Sequence, residues 1–154
     1  NIRIHVYQLN SQYFDSLQTN YHFTTAIYYR LSIADILEDK VEQFMYLDSD
    51  IVCDGSLAEL GNLHLEQHVI AAVEDKFISR NYIQSLGLPE SHRYFNSGVM
   101  LINIQNWHDF GVMEQFDKLI ESAKTNEEIN TINMVILSSY EEMVIKSWKN
   151  DVIS

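Results

Sequence analysis

Apolar positions along this chain recur with two different periods, and the switches between them delimit its elements. Ile2, Ile4 and Val6 alternate with polar neighbours, the period of a half-buried strand. From Ile27 the spacing lengthens: Ile27, Leu31, Ala34 and Leu37 share one helical face, which Thr24 and Thr25 can cap and which ends near Asp39. Gln43 to Leu47 is an unbroken apolar and aromatic run, too short for a helix of its own, as expected of a strand covered on both faces. The Asp54-Gly55 turn and one or two helical turns in SLAEL follow, then a second buried strand from Val69 to Val73. Ser79 to Leu86 predicts a helix stopped by Gly87 and Pro89, and a turn at Asn96-Ser97 leads into a third buried run, Gly98 to Ile104. Val112, Phe116, Leu119, Ile120 and Ala123 form a helical stripe, and Ile129, Ile132 and Ile136 predict one more helix. Strands and helices alternate throughout, so the expected class is α/β with a mainly parallel sheet.

Composition narrows the partners more than the fold. The 154 residues fit a single domain, and 46% hydrophobic residues is ordinary for a globular chain. Ten Lys plus Arg stand against 22 Asp plus Glu, and the net charge of -12 argues against unaided binding to nucleic acid or to an anionic membrane surface. An anionic substrate would need a cation to mediate. No apolar run reaches the roughly 20 residues of a membrane span, and the opening NIRIHVYQ has no signal-peptide pattern. The first residues already alternate like a strand, so a truncated start is expected. Cys53 is the single cysteine, expected to pack as a small buried hydrophobe; nothing requires an oxidising compartment, and a cytoplasmic location is expected.

Three short segments carry candidate chemistry. Asp48 and Asp50 are spaced i, i+2 at the carboxyl end of the FMYL strand, so their carboxylates face one side and can approach one divalent ion. Sites in open α/β sheets gather at such strand ends. Read alone, the pair could equally be turn-capping aspartates. Asn96 and Ser97 offer amide and hydroxyl groups before the third strand, and Gly98 allows a close backbone approach. Arg30, inside the early helix, could clamp phosphate or hydroxyl oxygens, although a surface ion pair is the commoner fate of one arginine. Glu74 and Asp75 end the second strand as the aspartate pair ends the first.

In this order, TTAIYYRLSIADIL at 24–37, MYLDSDIVCDGSLAEL at 45–60, AAVEDKF at 71–77 and YFNSGVMLINIQNWH at 94–108 resemble glycosyltransferase family 8. These are the retaining nucleotide-sugar transferases that include lipopolysaccharide galactosyl- and glucosyltransferases and glycogenins. The resemblance implies a GT-A fold, a Rossmann-like three-layer α/β/α sandwich, here as a single partial domain over residues 1–154. It further implies transfer of a hexose from a UDP-sugar to a saccharide or glycolipid acceptor with retention. By position, Asp48 and Asp50 match the DxD ligands of Mn²⁺ (or Mg²⁺), while Arg30, Asp75 and Asn96 match donor-sugar contacts and Ser97 lines the same pocket.

The chain also departs from that family. The family's late His-x-x-Gly-x-x-Lys-Pro-Trp segment, source of a third metal ligand, has no counterpart here. Its Asp-Gln-Asp-x-x-Asn run aligns with Glu128 to Asn133, where Ile129 replaces the glutamine and brings no polar atom. The catalytic residue is therefore unassigned. The resemblance is to a central fragment lacking the usual N- and C-terminal segments, and a truncated or diverged non-catalytic sugar-nucleotide or metal-binding remnant is the alternative. Membrane association would be peripheral and through parts not present. A second alternative is a haloacid-dehalogenase-type phosphatase, because Asp48-Ser49-Asp50-Ile51-Val52 also fits DxDx[TV].

Overall fold

The computed structural model describes residues 3–9, 26–85, 91 and 93–122. The early helix is present in three pieces: α1 (Ala26–Tyr29), a 3₁₀ turn (Arg30–Ser32) and α2 (Ile33–Leu37). The tightening at Arg30 has a local cause, since the Ser32 hydroxyl donates back to the Tyr29 carbonyl at 3.0 Å and competes with the helical ladder. The expected caps Thr24 and Thr25 lie outside the described residues, as does the helix expected around Ile132.

Beyond it come β1 (Gln43–Leu47), α3 (Ala58–Gly61), β2 (Ile70–Glu74), α4 (Arg80–Ser85), β3 (Phe95–Asn103), α5 (Ile104–Phe110) and α6 (Val112–Ser122). Helix α5 follows β3 with no loop and was not expected from the apolar period. Its ends are nevertheless encoded: Asn103 Oδ1 accepts the Asn106 amide at 2.9 Å as N-cap, and Gly111 takes the left-handed C-terminal position at φ 68°.

The sheet runs in the order β1-β3-β2, and both pairings are antiparallel. This corrects the expected mainly parallel sheet, as far as the described strands go. β1 and β2 do point the same way, but β3 lies between them running oppositely. Unbroken apolar runs report coverage of both faces and say nothing about direction. Coverage itself is real: Ile70, Ala72, Met100 and Ile102 face a core shared with Tyr28, Leu31, Trp107, Val112 and Phe116. Ala71 and Leu101, one residue out of phase, face Leu65 on the other side.

Two further expectations are overturned. Residues 3–9 form no strand; Ile4 and Val6 are 85% and 90% exposed, because alternation makes a strand only where a neighbour supplies a ladder, and no described strand pairs with this segment. Cys53 is exposed rather than buried, since it lies in the irregular surface segment after β1 and not in the strand. Trp107, in contrast, is 2% exposed and packs in the core as expected.

Candidate functional site

Because β1 and β2 both run against β3, their carboxyl ends meet the amino end of β3. Leu47 pairs with Val99 and Glu74 with Phe95, so Asp48 and Asp75 emerge beside Gly98 and Tyr94. Backbone bonds fix both exits: the Asp48 amide donates to the Gly98 carbonyl and the Asp75 amide to the Tyr94 carbonyl, each at 2.8 Å.

Asn96 and Ser97 are not a turn before the strand but part of it. Along β2 the partner changes from Met100 opposite Ala72 to Asn96 opposite Val73, so Ser97, Gly98 and Val99 bulge away from the β2 ladder. A bulge re-aims side chains. Here it turns the Ser97 hydroxyl toward the early helix, where Arg30 Nη1 donates to Ser97 Oγ at 2.9 Å and to its carbonyl at 3.3 Å.

Arg30 joins this bulge to the end of β1. Its Nη2 stands 3.8 Å from Asp48 Oδ1, and its guanidinium carbon lies 5.0 Å from the Tyr46 ring centroid. Its side chain is only 12% exposed, so these charge contacts are shielded more than those of a surface pair. The Tyr46 hydroxyl donates to the same Asp48 Oδ1 at 2.6 Å. Burial raises the Tyr46 hydroxyl to about 12; the bond to Asp48 adds to the rise, and the Arg30 charge opposes it. Tyr46 did not figure among the sequence candidates. Its signal was available, because Tyr46 and Asp48 share the i, i+2 phase that linked Asp48 to Asp50.

Asp48 Oδ2 points the other way, over Gly98. A Cβ at Gly98 would stand 2.9 Å from Asp48 Oδ2 and 3.0 Å from Asn96 Oδ1, so both oxygens crowd the space that glycine leaves open. Asn96 Oδ1 accepts the Gly98 amide at 2.7 Å, which leaves the Asn96 amide nitrogen for an outside acceptor. Asp50 is exposed in the turn closed by the Ile51 amide on the Asp48 carbonyl, 3.1 Å, and its charge reaches Tyr46. Asp75 is set apart from this cluster. Its Oδ1 accepts the Phe77 amide at 3.0 Å, and it lines a separate surface cavity of about 510 Å³ with Lys76, Arg80, Arg93 and Tyr94. Burial pushes the Tyr94 hydroxyl up, with help from Tyr82 and the Asp75 charge.

The donor set fits a hard divalent cation: two carboxylates after one strand, Asp48 Oδ2 held clear of other partners among the described residues, and an amide oxygen beside it. No group of three or more His, Cys, Asp or Glu gathers at one point among the described residues. Of the sequence candidates, the structure brings Asp48 and Ser97 to the one guanidinium of Arg30, places Asn96 against Gly98 beside them, and leaves Asp75 at the neighbouring strand end. The Ile129 position lies outside the described residues.

Comparison with known proteins defines the class. Residues 2–146 match the model of Glycosyl transferase family 8, and the chain belongs to that family. It is 31% identical over 143 residues to the Lipopolysaccharide 1,3-galactosyltransferase of Salmonella typhimurium, an alignment covering 90% of this chain and 42% of that protein. It is 36% identical over 111 residues to the Lipopolysaccharide glucosyltransferase WaaO of Escherichia coli, covering 68% of this chain and 32% of the relative. Among solved structures, an active-site mutant of LgtC superposes with a TM-score of 0.67 at 25% identity, over 82% of this chain and 48% of that one. The galactosyltransferase LgtC in complex with donor and acceptor sugar analogues gives the same score and coverage at 24% identity. The GT-A-like α/β fold is thus shared, and the chain spans about two fifths or less of the length of these two sequence relatives. Family membership leaves the phosphatase alternative without support.

Proposed function

We propose that this chain forms the donor side of a retaining hexosyltransferase, which moves a hexose from a UDP-sugar to a saccharide or glycolipid acceptor. The convergence of Arg30, Asp48 and Ser97 at the joint end of β1 and β3 carries this reading. Asp48 and Asp50 would hold Mn²⁺ (or Mg²⁺) against the nucleotide diphosphate. When bound, that ion supplies a Lewis acid for the charge on the departing diphosphate, which a chain of net charge -12 otherwise repels.

The protein groups divide the remaining work. Arg30 holds Ser97 and Asp48 in fixed relation and brings positive charge to the diphosphate side. The outward amide of Asn96 donates to a sugar hydroxyl, and the second oxygen of Asp75 accepts from one, so the hexose spans the ends of β3 and β2. Their oxygens also favour the positive charge that the anomeric centre develops as its bond to the diphosphate stretches. Residues 1–154 act as one partial domain in this reading. The relatives named for lipopolysaccharide synthesis support a lipopolysaccharide-type acceptor. No helix among the described residues is long and apolar enough to cross a membrane.

The test is donor hydrolysis and transfer with a panel of UDP-hexoses, with and without Mn²⁺. Metal-dependent turnover lost in Asp48→Ala and Asp50→Ala is expected. Absent turnover, together with unchanged UDP binding in both variants, removes the catalytic and metal assignments and leaves the non-catalytic remnant.

A further inference from the structure

We propose that Tyr46 and Gly98 are positioning residues that hold the Asp48 carboxylate in one orientation for its metal. This rests on the reading of Asp48 as a metal ligand and adds two residues which that reading does not use. An aspartate side chain on a strand end has two free torsions, and an exposed one samples several rotamers. Asp48 is held at three points. Its backbone amide is bound to the Gly98 carbonyl at 2.8 Å. Its Oδ1 accepts the Tyr46 hydroxyl at 2.6 Å, a length typical of a charge-assisted bond. Its Oδ2 lies over Gly98, in a space that any side chain there would enter at 2.9 Å.

The Tyr46 hydroxyl is itself held. The ring belongs to the half-buried part of the core, and Arg30, 5.0 Å from its centroid, is tied to Ser97 and stands 3.8 Å from the same Asp48 Oδ1. Tyr46, Asp48 and Arg30 therefore close a ring of contacts, and Arg30 ties that ring to Ser97 in the β3 bulge. With Oδ1 occupied on one side, Oδ2 is the oxygen presented to a cation. Groups that orient a ligating carboxylate typically change metal affinity by about 10- to 100-fold when removed.

The experiment measures Mn²⁺ affinity with UDP present, by the electron paramagnetic resonance signal of free Mn²⁺, for the wild-type protein, Tyr46→Phe, Gly98→Ala and Asp48→Asn. Tyr46→Phe keeps the ring and its contact with Arg30 and removes only the hydroxyl. Gly98→Ala adds one methyl against the movable end of Asp48, so it displaces the carboxylate with little change in thermal stability. Both are expected to bind Mn²⁺ roughly tenfold more weakly, with turnover recovering at saturating Mn²⁺. A merely structural role would lower Tm and leave Mn²⁺ affinity alone. Affinity within about twofold of wild type in either variant overturns the assignment for that residue. Loss of Mn²⁺ binding in Asp48→Asn with wild-type binding in the other two rejects the positioning role alone, whereas wild-type binding in Asp48→Asn rejects the metal reading beneath it.

Discussion

The side-chain amide of Asn106 donates to the backbone carbonyl of His68 at 2.8 Å, and the same nitrogen reaches the Glu66 carbonyl at 2.8 Å. One residue in the first turn of α5 thus holds the segment that leads into β2, across 38 positions of sequence. Glu66 has a left-handed backbone, φ 50°, which a non-glycine residue adopts only when its surroundings hold it there. Asn106→Ala is expected to lower unfolding free energy by about 1–2 kcal/mol. Urea unfolding measures it, and an unchanged midpoint would show that the strained loop is held by other contacts.

Arg30 serves Ser97 and Asp48 from two nitrogens of one planar group. A lysine carries the charge but has no fork with which to meet both. Arg30→Ala is expected to weaken UDP-hexose binding roughly tenfold, and Arg30→Lys to restore only part of the loss. Calorimetric titration with the donor decides it: full recovery in the lysine variant reduces the role of Arg30 to charge alone.

Tyr46 leads to an alkaline prediction. Its hydroxyl is raised to about 12 from an ordinary value near 10. The native state holds this proton more tightly than the unfolded chain, so the contribution is complete below pH 10 and declines as pH climbs through about 12. Tyr28 and Tyr94 are shifted the same way, so the informative quantity is the difference between wild type and Tyr46→Phe. That difference should narrow between about pH 10 and 12 in chemical unfolding. A gap that widens over this range contradicts the assignment.

Asp35 shifts in the same direction for a carboxylate. Burial raises it, His108 at 3.7 Å opposes the rise, and Glu38 and Glu114 add to it. The native state therefore binds this proton more readily than the unfolded chain, and stability declines as pH rises from below the ordinary carboxyl value of about 3.9 through the raised one. Asp35→Asn is expected to raise Tm at pH 7, with the gain vanishing in acid. Thermal scans at neutral pH and near pH 3 check this, and a gain confined to acid reverses the sign.

Much of the fold was legible because buried segments announce themselves. Gln43–Leu47 and Ile70–Glu74 match the apolar runs to within one residue, since both faces of each are covered. Strand direction was not legible, because covered faces leave the same pattern in parallel and antiparallel sheets. Asn96 and Ser97 read as a turn because polar residues and glycine also mark bulges, and only the partner strand distinguishes the two. Arg30, Asp48 and Ser97 were legible as residue types, and their meeting at one guanidinium was not, because it depends on the bulge in β3. Tyr46 escaped because an aromatic in an apolar run reads as core, which its ring is, while its hydroxyl reaches beyond the strand end to Asp48.

The interruption in β3 has one more consequence. β1 pairs with β3 in unbroken register from Gln43 opposite Asn103 to Leu47 opposite Val99, whereas the β2 ladder skips three residues of β3. Asp48 is therefore indexed to the central strand independently of Asp75. A scaffold divided in this way lets its two strand ends vary separately, and under the proposed assignment that separates the contacts to the donor sugar from those to its diphosphate.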